Sequence, residues 1–170
     1  MNRLLEYFQN HRHLAAAIAG ISVVILAIAY ISQYSFGLKP CILCLYQRVP
    51  YSLNIVFGGL ALLATYRYPR LTALLLFFSA LVFFAGAGIA GFHAGVEYGW
   101  WKGLSACGGD ILPENASLEE LRRSITQQAI VRCDKPAWTL FGISMAGYNV
   151  ALSLALGCTV IYQLRKSNGA

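Results

Sequence analysis

Apolar residues in this chain do not alternate with polar ones; they run on. Residues 14–34, 44–66, 71–92 and 138–164 are dominated by Ala, Ile, Leu, Val, Phe and Tyr, and Arg48 is the one charged residue within them. A helix needs about 20 mainly apolar residues to cross the hydrocarbon core of a bilayer. The pattern therefore predicts an all-α membrane protein: four transmembrane helices in one bundle, with residues 1–170 forming a single domain in the lipid bilayer. Residues 1–13 read as a short basic, partly helical lead. The uncharged run from Leu14 to Leu38 is long for the apolar part of a signal peptide, so it is expected to stay as the first helix.

Between the spans, Gly37-Leu38-Lys39-Pro40 predicts a tight turn and Tyr66-Arg67-Tyr68-Pro69-Arg70 a compact one, with a long loop over about 93–137. Within that loop, Ser117-Leu118-Glu119-Glu120 is a capping box, and Leu118, Leu121 and Ile125 continue one apolar face. A short amphipathic helix lying on the bilayer is expected there. Pro50 frees the Tyr46 carbonyl and predicts a kink near Arg48. Ala87, Gly91 and Gly95, four apart, predict a close approach between helices.

Composition agrees: 58% of the 170 residues are hydrophobic and 12% charged, against about a quarter charged in soluble domains. The net charge of +6 raises the question of nucleic acid, and its placement answers it. Arg3 and Arg12, then Arg67 and Arg70, then Arg165 and Lys166 occupy three places on one side of the bundle. By the positive-inside rule that side, with both termini, is cytoplasmic. In the long outward loop, Lys102, Arg122, Arg123, Arg132 and Lys135 are matched by Asp110, Glu114, Glu119, Glu120 and Asp134. The basic excess is topology, and no nucleic-acid partner is expected.

Orientation sorts the five cysteines. Cys41, Cys44, Cys107 and Cys133 face outward, two pairs in a compartment that permits disulfides. Cys158 falls about 30 Å into the last span, where a buried, inert role is expected. Cys41-x-x-Cys44 has three readings: a redox dithiol, half of a zinc site, or two small residues that happen to lie three apart. If 41–48 is helical, Cys41, Cys44 and Arg48 share one face. His93 and Glu97, near the outward surface, either bind a polar ligand group and move protons or face lipid headgroups beside Tyr98, Trp100 and Trp101.

Pro40-Cys41-x-x-Cys44-x-x-Gln47-Arg48, a second cysteine pair in the other outward loop, Gly91-Phe92-His93-Ala94-Gly95-Val96-Glu97, and Cys133-Asp134-x-Pro136-x-Trp138-x-x-Phe141-Gly142 together resemble the DsbB family. A quinone-coupled DsbA–DsbB system keeps bacterial periplasms oxidising. The resemblance implies an inner-membrane thiol:quinone oxidoreductase with its active cysteines periplasmic. Its electron donor would be a DsbA-like periplasmic dithiol oxidase of thioredoxin fold, and ubiquinone or menaquinone its electron acceptor. Cys107 would form the mixed disulfide, Cys133 would exchange with Cys41, and Cys44 would pass electrons to the quinone. Arg48 would stabilise the developing negative charge and the Cys44 thiolate, and His93 is a further quinone-site residue by the same resemblance. Two rivals remain at this stage. One is a tetraspan protein with static disulfides; the other is a paralogue or a vitamin K epoxide reductase-type enzyme, whose cysteine pair sits late in the chain.

Overall fold

The structure, a computed structural model, describes residues 2–104 and 132–168. Its elements are α1 (Asn2–Ser35), α2 (Ile42–Tyr46), α3 (Arg48–Ala64), α4 (Pro69–Glu97), the strands β1 (Thr139–Leu140) and β2 (Ile143–Ser144), and α5 (Met145–Asn168). Within α1, α4 and α5 lie three stretches long and apolar enough to cross a membrane. The remaining span is α2 and α3 together, interrupted at Gln47, where Pro50 leaves the Tyr46 carbonyl without its helical partner. The bundle is thus the expected four-span all-α membrane fold, and the kink falls where proline chemistry put it.

Several boundaries differ from the sequence reading. Helix α1 begins at Asn2, and α4 runs on to Glu97, so His93 and Glu97 sit on helix rather than in the loop. The helix expected from Trp138 starts at Met145, because Thr139–Ser144 folds as a hairpin first, pairing Thr139 with Ser144 and Leu140 with Ile143. Its two-residue turn is Phe141-Gly142, at φ 50 and 77. Positive φ at both central residues gives the twist that two-residue hairpins need. Tyr98 clamps the turn, its hydroxyl donating to Gly142 O at 3.2 Å and accepting from Ser144 N at 3.2 Å. The expected amphipathic helix, and Cys107, lie outside the described residues.

Helix α4 ends sharply. Gly99 is left-handed (φ 72), and the bonds Trp100 N→Gly95 O (2.8 Å) and Gly99 N→Val96 O (3.2 Å) close the last carbonyls. The chain then folds back, and the Trp101 ring covers Gly95 so closely that a Cβ there would lie 2.0 Å from it. This corrects the expected helix–helix approach at Gly95, which is roofed by an indole; at Gly91 a Cβ would meet Val150 Cγ2 of α5 at 3.9 Å. Tighter approaches fall elsewhere. A Cβ on Gly58 would sit 3.0 Å from Ala15 O of α1, and one on Gly86 3.1 Å from Pro50 Cβ of α3.

Helix α3 packs against both α1 and α4, α4 packs against α5, and α1 scarcely meets α5. The main core joins Ala15, Ile18, Ala61, Leu76, Phe83 and Val160, all almost fully buried. At one end, Arg12 Nη1 donates to Tyr66 OH at 3.0 Å, tying the start of α1 to the turn after α3. Arg165 and Lys166 close the last turn of α5, the favourable end of its dipole for cations. Cys158 is exposed on the outer face, which corrects the expectation of a buried thiol. In an apolar solvent a lone small thiol loses nothing by facing lipid.

Candidate active site

At the opposite end, Pro40 holds the chain extended and Cys41 caps α2 at φ −75, ψ 171. The Cys41 Sγ accepts from the Cys44 backbone N–H at 3.2 Å and lies 2.7 Å from the Cys44 Sγ. These two bonds place the sulfurs side by side, short of covalent linkage. The hydrogen bond from the Cys44 side chain, then those from His93 and the Cys44 backbone, outweigh burial and hold the Cys41 thiol well below the usual range.

His93 projects from α4 into the same space. Its Nε2 lies 3.5 Å from Cys41 Sγ and 3.6 Å from Glu97 Oε1. The two side chains are only 4% and 5% exposed, so they face the interior and not lipid headgroups. Glu97 Oε2 has no hydrogen-bond partner among the described residues. On its other side the ring meets Gln47: His93 Nδ1 is 2.6 Å from Gln47 Nε2, and Gln47 Oε1 accepts from Asn149 Nδ2 of α5 at 2.6 Å. Asn149 Oδ1 in turn accepts from Tyr51 OH, which is 3.0 Å from Ser153 Oγ. A continuous hydrogen-bonded row thus runs from Cys41 across α4, α3 and α5.

Arg48 is directed toward α1, where Nη1 donates to Gln33 Oε1 at 2.8 Å and the guanidinium lies 4.7 Å from the centre of the Tyr30 ring. Both contacts hold its charge at the wall of a cavity of about 780 Å³. Leu26, Ala29 and Leu152 line that cavity from α1 and α5, while Cys44, His93 and Glu97 stand on its inner side. Since α1 and α5 barely touch, the cavity occupies the weakly closed seam of the bundle.

The last described cysteine arrives from the segment before the hairpin. Cys133 is disulfide-bonded and fully buried, in one cluster with Cys41, Leu43 and Val96. Beside it, Arg132 pairs with Asp134, and the bond holds that exposed carboxyl below the usual carboxylate range.

Cys41 Sγ, Cys44 Sγ and a His93 ring nitrogen lie within 4.8 Å of one another, close enough to be tested as a zinc site. The hydrogen bonds argue against that reading. A metal-bound imidazole coordinates through a bare nitrogen and donates its other N–H. Here the Gln47 amide nitrogen lies 2.6 Å from Nδ1, where a metal-bound ring would need an acceptor for its own N–H.

Of the residues marked in the sequence, Cys41, Cys44, Cys133, Arg48, His93 and Glu97 are brought to one end, and Cys107 is outside the described residues. Sequence reasoning missed Gln33, Tyr30, Tyr51 and Asn149. A polar residue inside an apolar span was the available signal for Gln33 and Asn149, because hydrocarbon penalises it unless it finds a partner.

Residues 11–163 match the family model "Disulfide bond formation protein DsbB". An uncharacterized protein of Rickettsia prowazekii is 30% identical, covering 92% of this chain and 90% of its own length. Disulfide bond formation protein B 2 of Pseudomonas syringae is 30% identical (82% and 80%), and disulfide bond formation protein B of Xylella fastidiosa is 31% identical (78% and 77%). No solved structure matches the chain. With a half-buried dithiol, a nearby third cysteine and a family match over nearly its whole length, the chain belongs to the DsbB family of disulfide bond formation proteins.

Proposed function

We propose that this protein is a thiol:quinone oxidoreductase of a bacterial inner membrane, with its cysteine end in the periplasm and both termini in the cytoplasm. Its donor is a DsbA-like dithiol oxidase, and its acceptor is ubiquinone or menaquinone. The observation that carries the proposal is the clustering of Cys41 and Cys133, with Cys44 beside them at a cavity of about 780 Å³. That volume lies in the range of small-molecule sites, mostly apolar with a few placed polar groups. The seam between α1 and α5 suits a lipid-borne ring better than a water-borne one.

The donor's dithiol gives up two electrons and two protons as its disulfide forms. Cys107 takes the donor in a mixed disulfide, and the Cys107–Cys133 pair is left reduced. Cys133 then attacks the Cys41–Cys44 disulfide at Cys41, so that pair becomes the dithiol and the loop pair closes again. Exchange of this kind needs an accessible thiolate and a good leaving group; the surroundings of Cys41 stabilise its thiolate. When bound, the quinone supplies the sink, taking two electrons and two protons to become quinol while Cys41–Cys44 is restored. Arg48 and His93 would hold it, Arg48 by its charge where negative charge builds up.

Purified protein, a reduced thioredoxin-fold donor and excess quinone, mixed without oxygen, test this by quinone absorbance. Turnover should vanish in Cys44→Ser and weaken in Arg48→Ala. Absence of turnover in the parent protein with every donor and quinone, while its cysteines stay bridged, would leave a static membrane protein.

A further inference from the structure

The amide of Gln47 has a fixed direction. Its Nε2 lies 3.4 Å from the Leu43 carbonyl, which only accepts, and 2.6 Å from His93 Nδ1. With the nitrogen so committed, Oε1 faces Asn149, which must present its own nitrogen; that leaves Asn149 Oδ1 to accept from the Tyr51 hydroxyl. One backbone carbonyl therefore orients each donor in the row. At its far end His93 Nδ1 has to accept, and the proton of the neutral imidazole has to be on Nε2, between Cys41 Sγ and Glu97 Oε1.

We infer that Gln47 and Asn149 are positioning residues that lock His93 in its Nε2–H tautomer, making it a fixed hydrogen-bond donor to the Cys41 sulfur. This rests on the redox reading of Cys41. A donor of this sort favours Cys41 as thiolate, the form that leaves when Cys107 attacks Cys133 in a Cys41–Cys133 disulfide and that attacks when the Cys41–Cys44 disulfide closes. Two side chains, one at the break between α2 and α3 and one on α5, thereby set the reactivity of a sulfur that they do not touch. Glu97, whose Oε1 lies 3.6 Å from Nε2 and whose Oε2 has no hydrogen-bond partner among the described residues, is the nearby group that could compete with Cys41 for that donor. Other charges reach the cavity wall from separate segments: Lys39 from the turn before α2, Arg48 from α3, and Arg132 and Lys135 from the stretch before the hairpin.

The test isolates Cys41 in the full-length protein (Cys44→Ser, Cys107→Ser, Cys133→Ser and Cys158→Ala) and follows its alkylation by iodoacetamide across pH in detergent. Asn149→Leu should move the titration midpoint up and lower the rate at mildly acid pH by roughly tenfold, the scale of one hydrogen bond to a charged group. His93→Ala should shift it at least as far, and adding Asn149→Leu to His93→Ala should change nothing more. Gln47→Ala should behave like Asn149→Leu, whereas Gln47→Glu, which accepts from Nδ1 and leaves the ring doubly protonated, should retain the low midpoint. An Asn149→Leu effect that is absent, or equally large without His93, overturns the inference. Nitrogen NMR of His93 in the parent protein at neutral pH gives an answer free of mutation: Nε2–H supports the lock and Nδ1–H overturns it. None of these readouts uses quinone or donor protein. A failed turnover assay with an intact Cys41 response would count against the proposed function alone, and the reverse result against the tautomer lock alone.

Discussion

The two ends of the bundle are made from the same helices and held by different forces. Toward the basic end, Ala15, Ile18, Ala61, Leu76, Phe83 and Val160 fill the interior, and Gly58 lets α1 and α3 come into backbone contact. Toward the cysteine end, a row of polar side chains replaces that filling, the second span is interrupted at Gln47, and a cavity of about 780 Å³ stays open. Lipid tails are as apolar as leucine, so helices gain little by hiding apolar surface from them; packing and hydrogen bonds remain as the means of association. The basic end relies on the first and is closed by it. The cysteine end relies on the second, which holds side chains at fixed angles and leaves space between them. A disulfide oxidoreductase needs that combination, because sulfur chemistry requires orientation and its reaction partners require room.

The contrast predicts that the two ends fail differently. Phe83 is fully buried and meets Tyr51 edge-on, with ring centres 6.2 Å apart. Phe83→Ala should cost about 3–5 kcal/mol, as large-to-small changes in a packed core do, seen as a lower unfolding midpoint in detergent. At temperatures where the variant stays folded, the pH profile of Cys41 alkylation should be unchanged. A stability loss below about 1 kcal/mol, or a shifted Cys41 profile, would mean that the ends are not separable in this way.

A second, smaller effect belongs to the cysteine end and only to its reduced form. The folded surroundings lower the Cys41 pKa, chiefly through the Cys44 side chain. A lowered pKa stabilises the fold fully above the unfolded thiol value, about 8.5, and that contribution is lost as pH falls toward the folded value. The reduced protein should therefore lose stability on acidification relative to the protein with Cys41 and Cys44 bridged, which has no such proton to take up. Unfolding midpoints measured with and without reductant over the same pH range would show the two curves diverging at acid pH. Parallel curves would remove Cys41 from the account.

The spans, the Cys41–Cys44 pair and the break near Arg48 were legible because each is local: a run of apolar residues, a spacing, a proline four positions after a carbonyl. The partners of the site were not. Nothing near Asn149 in sequence points to Gln47, 102 positions away, and Arg48 finds Gln33 and Tyr30 on a helix that precedes the turn. The hairpin at Thr139–Ser144 was hidden for a different reason. Its Thr, Leu and Ile continue the hydropathy of the span that follows, and only Phe141-Gly142, with both residues at positive φ, marks the turn. Hydropathy reports depth in the membrane and is silent about backbone direction.

Two asparagines sharpen the comparison at its smallest scale. Asn149 is satisfied on both sides of its amide by Gln47 and Tyr51. Asn54, fully buried on α3 toward the packed end, has no hydrogen-bond partner for either Nδ2 or Oδ1 among the described residues. A buried amide that forgoes its hydrogen bonds costs stability, and an apolar side chain of similar shape removes that cost. Asn54→Leu should accordingly stabilise the protein by about 1–2 kcal/mol, raising the unfolding midpoint while leaving Cys41 alkylation as it was. The same change at Asn149 should do the opposite, slowing Cys41 and giving no gain in stability. Measured side by side, these two variants change the same residue type to the same replacement, so helix propensity and side-chain size cancel. If Asn54→Leu likewise gave no gain in stability, Asn54 would have a partner of its own, and the division between a packed end and a hydrogen-bonded end would lose its sharpest example.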